Sequence, residues 1–422
     1  MLKAKARAHQ PIGLLKKEGV TVSSGQETVD LLLDIHFPGS VKRSGIANTY
    51  RKVDLSHPNV AARVAFITKD KVIEAFNSFG EGKAAGDHFK PVVLQNLTDG
   101  ALDDFVIIYK ASFALGIIPA NWKKARVVFI PKPGKDPKEP KSFRPITLNS
   151  FLLKAFEKII MWELESMNLP CMSNFQFAYQ TGKSIDEALT KVVDKVELGL
   201  LSKKYTMAAF LDISGAFDNV SVEACLEGAR RGGIPNQYIK WFDSLLRNRV
   251  ITTNVNGIEQ SRLLNNGTPQ GDVCSPKLFC LSLDHILTEL NSDNDITAVG
   301  FADDIVILVK GGHLPTMKNL LQAKTELASQ RLRELGLHLN TKKTVNLSDF
   351  VLDGQTIEIG SMVKYLGVTL DEQLTYKQHV ANKAKSTKKR IFMVRNYVYK
   401  RWGPSPKVMR KVYLSVIRPS LD

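Results

Sequence analysis

Two short strings in this chain set acids against apolar runs. In Phe210-Leu-Asp-Ile-Ser-Gly-Ala-Phe-Asp218, Asp212 closes an apolar stretch, and in Gly300-Phe-Ala-Asp-Asp-Ile-Val-Ile-Leu-Val309, Asp303 and Asp304 stand side by side within another. Carboxylates buried without partners are costly, so an adjacent acid pair in an apolar segment needs a cation or a solvated turn. Three carboxylates brought together on neighbouring strands could hold two Mg²⁺ ions, which activate a 3′-hydroxyl and stabilise a leaving pyrophosphate. An isolated Asp-Asp is most often a solvated turn. Here the hydrophobic flanks and the upstream Asp212 favour ligation, while Asp218, close to Asp212 in sequence, is open as a fourth ligand, a helix cap or an exposed residue.

These acids need strands to carry them. Met207 to Leu211 reads as a strand ending at Asp212, and Val299 to Val309 as a strand–turn–strand hairpin with the acid pair at its turn. Upstream, Ala125 to Ile130 reads as a strand, Pro131 to Pro145 as an exposed loop rich in Pro, Gly and Lys, and 149–167 as a helix. Ser184-Ile-Asp-Glu187 is a capping box for a helix with Leu189, Val192, Val193, Val196 and Leu200 on one face. Ser275 and Pro276 read as N-cap and first residue of a helix to about Leu290. A further helix spans 316–335, short strands fill 344–371, and Thr68 caps a helix over 68–79 that carries Val72, Ile73, Phe76 and Phe79. Residues 1–60 are weakly patterned.

Composition narrows the class. Hydrophobic content of 44% and charged content of 24% are ordinary for a globular protein, and 422 residues suffice for more than one lobe. No segment reaches the apolar length of a membrane span. Cys171, Cys225, Cys274 and Cys280 lack C-x-x-C spacing and read as reduced, intracellular thiols. The net charge is +16, and between Tyr376 and Arg418 there are thirteen Lys or Arg and no Asp or Glu. A solvated helix face usually mixes signs, so this segment reads as a phosphate-binding surface. It reads as helical, broken at Gly403-Pro404. Tyr397, Tyr399 and Trp402 lie among the charges, where stacking on nucleic acid and core packing are both open.

The order of motifs resembles the palm of a reverse transcriptase. Asp-x-x-x-Ala-Phe comes first, then Gly267-Thr-Pro-Gln-Gly271, then Phe-Ala-Asp-Asp, with 58 residues from Asp212 to Gln270 and 33 from Gln270 to Asp303. Val128-Phe-Ile-Pro-Lys-Pro-Gly134, Ser142-Phe-Arg-Pro-Ile-Thr-Leu148, Phe177-Ala-Tyr-Gln-Thr-Gly-Lys-Ser184 and Lys364-Tyr-Leu-Gly-Val-Thr-Leu370 narrow the resemblance to LINE-type (non-LTR) retrotransposons of the Jockey, LOA and I kind. It covers about residue 25 to the end. The resemblance implies an α/β right-hand polymerase: a linker-like segment over 1–60, fingers over 61–205, a palm with an antiparallel sheet over 206–370 and a partial helical thumb over 371–422. The reverse transcriptase domain would span about 122–370. The expected protein is a fragment lacking the endonuclease, and its place is the nucleus or the cytoplasm.

The implied activity is RNA-directed DNA polymerisation from dNTPs, with an RNA template, a DNA primer and two Mg²⁺ ions, or Mn²⁺ in their place. Asp212, Asp303 and Asp304 are the implied catalytic residues, and with Ile213 the metal ligands. Lys132, Arg144, Phe217, Gln270 and Lys343 would meet the nucleotide. Phe217 would exclude the 2′-hydroxyl, unless it is simple core packing. Lys343 would protonate the pyrophosphate, with Lys342 adjacent. Tyr365, Leu366 and Gly367 would steady the primer end, and Lys388, Lys389 and Arg390 would hold phosphates. One departure stands out: the family usually has a small residue where this chain has Asp272, whose charge would repel a triphosphate unless paired or turned away. Two alternatives stand beside this reading: a different palm-type polymerase, or an impaired relic that only binds nucleic acid.

Overall fold

The computed structural model describes residues 12–42, 52–84, 86–87, 89–340, 345–346, 350–352, 355–357, 361–396 and 403–420. In chain order, the elements that bear on the site are α1 (Gly25–His36), β1 (Lys124–Pro131), β2 (Phe143–Leu148), α2 (Phe151–Ser166), α3 (Ile185–Leu201), β3 (Tyr205–Asp212), β4 (Arg249–Val255), β5 (Ile258–Leu264), α4 (Ser275–Leu290), β6 (Ile296–Phe301), β7 (Asp304–Gly311), α5 (Leu314–Glu334), β8 (Val345–Asn346), β9 (Met362–Tyr365), β10 (Val368–Asp371) and α6 (Lys377–Arg395).

Four strands form an antiparallel sheet in the order β8-β3-β7-β6. Side chains alternate between its faces. Ile305, Ile307 and Val309 enter the main core with Ala209 and Leu211. Val306 and Leu308 join Ala208, Val299, Ala188 and Val192 of α3, and Tyr365 and Leu370 of the β9–β10 hairpin. Both faces are therefore covered, and β7 reads as an unbroken apolar run rather than an alternating one. Burying both faces makes the sheet a rigid base for whatever its strand ends carry.

The second sheet, in the order β2-β1-β4-β5, is mixed, with β1 parallel to β4. One face meets α1: Val29, Leu32, Leu33 and Phe37 pack on Val127, Phe129, Phe143 and Ile251. The weakly patterned N-terminal region thus contains a helix, capped by Ser24, whose i, i+3, i+4 residues are part of this core. The other face leaves Lys124, Arg126 and Arg144 exposed.

Three local readings need correction. The expected loop up to Pro145 ends earlier, because Phe143 and Pro145 are buried on alternate positions and Arg144 pairs with Ile130. Pro145 is tolerated there because β2 is an edge strand. Helix α4 begins at Ser275 with Cys274 as its N-cap, one residue earlier than expected. The reason is a remote partner, Glu157, described below. On α3, the capping box at Ser184 and Glu187 forms as expected. Leu200, however, is exposed: Gly199 packs against Thr206 at the start of β3, which turns Leu200 outward. No helix among the described residues is long and apolar enough to cross a membrane.

Candidate active site

The backbone register brings the acids together. Asp212, the last residue of β3, lies opposite Asp304, the first residue of β7. Phe301 also pairs with Asp304, so Ala302 and Asp303 alone make the turn between β6 and β7. Ala302 has φ +55°, in the left-handed region. Cross-strand partners share a face. Asp212 continues the row of Ala208 and Phe210, and Asp304 the row of Val306 and Leu308, so both carboxylates rise on the side of the β9–β10 hairpin.

All three acids are half-buried. Asn340 donates its main-chain N–H to the Asp212 carbonyl at 2.7 Å and its Nδ2 to the carboxylate at 3.1 Å. Ile213 is buried and bridges to Leu339, so its main-chain carbonyl is the only ligand it can offer. The donor chemistry suits Mg²⁺, which takes one or two carboxylates and completes its shell with water and substrate phosphate. Among the described residues, no three of His, Cys, Asp and Glu form a ready-made cage. What these residues would offer such an ion is the aligned pair, Asp212 and Asp304, with Asp303 beside them on the turn.

The Gly267–Gly271 turn packs on the helical turn Ala216–Asn219. Gly267 donates to the Val220 carbonyl at 2.8 Å, and Thr268 to that of Phe217 at 2.6 Å. Gly267 has φ +75°, and a Cβ there would stand 2.5 Å from the Asp218 carbonyl oxygen. Only glycine fits so close a left-handed approach. Arg249, buried at 8% exposure, holds the turn from the other side. Its Nε donates to the Leu246 carbonyl at 2.9 Å, and its Nη2 to the carbonyls of Asn266 and, at 2.7 Å, Gly267.

Asp218 is neither an exposed residue nor a helix cap, since Ser221 caps the helix that follows. Its carboxylate accepts from Gln270 Nε2 at 3.0 Å, and burial raises its pKa to about 7 against the pull of Arg249. Gln270, expected at the nucleotide, directs its amide to this acid. Phe217 is half-buried and stacks on Phe279 with ring centroids 4.5 Å apart.

Asp272 turns inward. It is 6% exposed and accepts a hydrogen bond from Asn149 Nδ2. Burial raises its pKa to about 6, while Lys154, Asn149 and Arg249 pull it down. A second carboxylate sits nearby that sequence reading missed. Glu157 of α2 is fully buried and accepts from the main-chain N–H groups of Val273, at 2.5 Å, and Cys274, at 3.0 Å. It therefore supplies the N-terminal cap of α4 in place of Ser275. Burial, and then the neighbouring Asp272, push its carboxyl well up. A signal existed in the sequence: Glu157 lies at helical spacing from Leu153, Ile160 and Leu164, all buried. A narrow cavity of about 30 Å³, lined in part by Asn149, Asp218, Arg249, Gln270 and Asp272, lies among these groups.

Other expected residues are more dispersed. Lys132 follows β1, and its Nζ donates to the Lys141 carbonyl at 2.7 Å. Arg144 lies on the exposed face of β2. Tyr365 is 4% exposed and packs against Phe210 at 5.5 Å, so it supports the hairpin from within and is not available to a primer as expected. Leu366 and Gly367, both with positive φ, form the hairpin tip. Lys388, Lys389 and Arg390 are exposed on α6, and Arg390 donates to the Val416 carbonyl at 3.0 Å. Lys342, Lys343, Tyr397, Tyr399 and Trp402 lie outside the described residues. The four cysteines are free thiols.

A family model described as reverse transcriptase (RNA-dependent DNA polymerase) matches residues 130–370, more than half of the chain. The chain belongs to the reverse transcriptase family. Its architecture is accordingly the α/β right-hand polymerase fold, with the β8-β3-β7-β6 sheet as the antiparallel palm sheet. Among its curated relatives, the RNA-directed DNA polymerase from mobile element jockey of Drosophila melanogaster is 28% identical over 342 residues, covering 77% of this chain and 37% of that protein. The probable RNA-directed DNA polymerase from transposon BS of the same species is 26% identical over 373 residues, covering 84% of this chain and 41% of that one. The resemblance to LINE-type reverse transcriptases is thereby borne out. This reverse transcriptase chain spans about two-fifths of the length of these relatives. A solved structure of apo telomerase from Candida tropicalis is similar at TM-score 0.44 and 13% identity, covering 67% of this chain and 53% of that one.

Proposed function

We propose that this chain is the polymerising core of a LINE-type retrotransposon reverse transcriptase, extending a DNA primer with dNTPs on an RNA template. The observation that carries this reading is the register of β3 and β7, which sets Asp212 opposite Asp304 with Asp303 on the adjoining turn. Two Mg²⁺ ions, or Mn²⁺, would lower the pKa of the primer 3′-hydroxyl and neutralise the leaving pyrophosphate. Asp212, Asp303, Asp304 and the Ile213 carbonyl would hold them. Lys132 and Arg144, on the β1–β2 hairpin, meet the triphosphate, where cations act on developing negative charge.

The Gly267–Gly271 turn, braced by Arg249, forms the floor beneath the nucleotide, with Gln270 at its rim and Phe217 against the sugar. Lys343, or Lys342 beside it, protonates the pyrophosphate. The hairpin tip, Leu366 and Gly367, steadies the primer end. Lys388, Lys389 and Arg390 hold duplex phosphates. In this reading the fingers run over 61–205, the palm over 206–370 and the thumb over 371–422. The test is primer extension on an RNA template with and without Mg²⁺. Extension by dNTPs that stops when the metal is chelated supports the proposal, and its absence under all metal conditions contradicts it.

A further inference from the structure

The segment between α2 and α3 holds the catalytic turn through one side chain. Gln176 is fully buried, and its main chain lies parallel to Gly300 of β6. Phe177 donates to the Gly300 carbonyl at 2.9 Å, and Gly300 to that of Phe175 at 2.8 Å. The Gln176 Oε1 accepts two main-chain N–H groups at 3.0 Å, those of Ala178 and Ala302. Two donors on one atom settle which end of the amide is oxygen.

Ala302 is the left-handed residue of the turn that carries Asp303. Alanine disfavours that conformation, so the turn needs a partner from outside. The segment is itself anchored. Ser173 donates its N–H and hydroxyl to Asp284 of α4, at 3.0 and 2.6 Å, and Lys183 Nζ donates to the carbonyls of Ser173 and Gln176 at 3.1 and 3.0 Å. Gly300 permits the approach, since a Cβ there would meet Leu287 at 2.6 Å and Gln176 Nε2 at 3.2 Å.

We infer that Gln176 is a positioning residue for nucleotidyl transfer: by accepting the Ala302 N–H, its buried amide holds the turn that sets Asp303 beside Asp304 and Asp212. The inference rests on the proposed polymerase activity. Without the acceptor, the turn relaxes and Asp303 moves. A displacement of about 1 Å at a reacting centre can cost roughly 100-fold in rate.

The test compares wild type, Gln176→Met, which keeps length but loses the acceptor, and Gln176→Glu, which keeps an oxygen in the same place. In primer extension, Gln176→Met should lower kcat by roughly 10- to 100-fold. The dNTP KM and the template–primer Kd should stay within about twofold, because a positioning loss falls on the transition state. Hydrogen–deuterium exchange of the Ala302 amide should speed up by about tenfold, since its acceptor is gone. Gln176→Glu should restore both readouts. An inactive wild type overturns the functional reading and this inference with it. An active wild type with an unchanged kcat in Gln176→Met, or a fall in kcat with no change in Ala302 exchange, overturns the role of Gln176 alone. Should Gln176→Met fail to fold, the wild type still decides: an Ala302 amide that exchanges as fast as an open turn overturns the inference.

Discussion

Asp272, whose charge is expected to oppose a triphosphate only if it faces one, turns its carboxylate inward onto Asn149, within reach of the fields of Lys154 and Arg249. The accommodation has a cost that pH should reveal. The carboxyl has an ordinary value of 3.8 and is raised to about 6 in the fold. Between those values the folded state holds a proton that the unfolded chain has released, so stability falls as pH rises from about 4 to about 6. Asp272→Asn removes that penalty. Denaturation at pH 8 should show a gain on the order of 3 kcal/mol, which shrinks as pH falls through 6 and is gone near pH 4. A loss of stability at pH 8 would mean that Arg249 and Lys154 outweigh burial. Phe217 gives a second test at this scale. It is half-buried, with one face against Phe279. Phe217→Val should raise the ratio of rNTP to dNTP incorporation, and an unchanged ratio would leave it as packing alone.

Among the elements, the Gly267–Gly271 turn is held from two sides, by main-chain bonds to Phe217 and Val220 and by the Arg249 side chain. Gly267→Ala places a Cβ 2.5 Å from the Asp218 carbonyl at φ +75°. It should destabilise the protein by roughly 2 kcal/mol or more, read as a shift in urea midpoint. A neutral result would show that the turn does not pack on Ala216–Asn219. The same elements mark what sequence can disclose. The strands ending at Asp212 and flanking Asp303 and Asp304 were legible because apolar runs, turn signals and motif spacing all act over a few residues. The Ser184–Glu187 capping box was legible for the same reason. The cap of α4 was not, because its acceptor is Glu157, more than a hundred residues away. Gln176 was hidden equally well: it lies one residue before a recognised motif, yet its role depends on a contact with Ala302 across 126 positions. Tyr365 was assigned to a primer because its motif was readable while the packing of its ring on Phe210 was not.

For the molecule as a whole, charge is unevenly placed. The segment from Tyr376 to Arg418 carries thirteen cations and no acids, and Lys388 and Lys389 are exposed on α6. If about five of them reach phosphates, deleting 376–422 should remove about four units of slope from log K against log salt, at roughly 0.9 per contact. Binding should weaken alike for all sequences, since phosphate contacts position a duplex without reading it. Circular dichroism of the truncated protein must show it folded, and a folded truncation with an unchanged slope would remove the thumb assignment. The central claim is that the β3–β7 register builds a two-metal polymerase site, and Asp303→Asn tests it most directly. The substitution keeps the size of the side chain and removes a charge on the turn. Primer extension at saturating Mg²⁺ and dNTP should fall by roughly 100-fold or more, with the template–primer Kd and the melting temperature unchanged. Extension by Asp303→Asn at the wild-type rate would contradict the account.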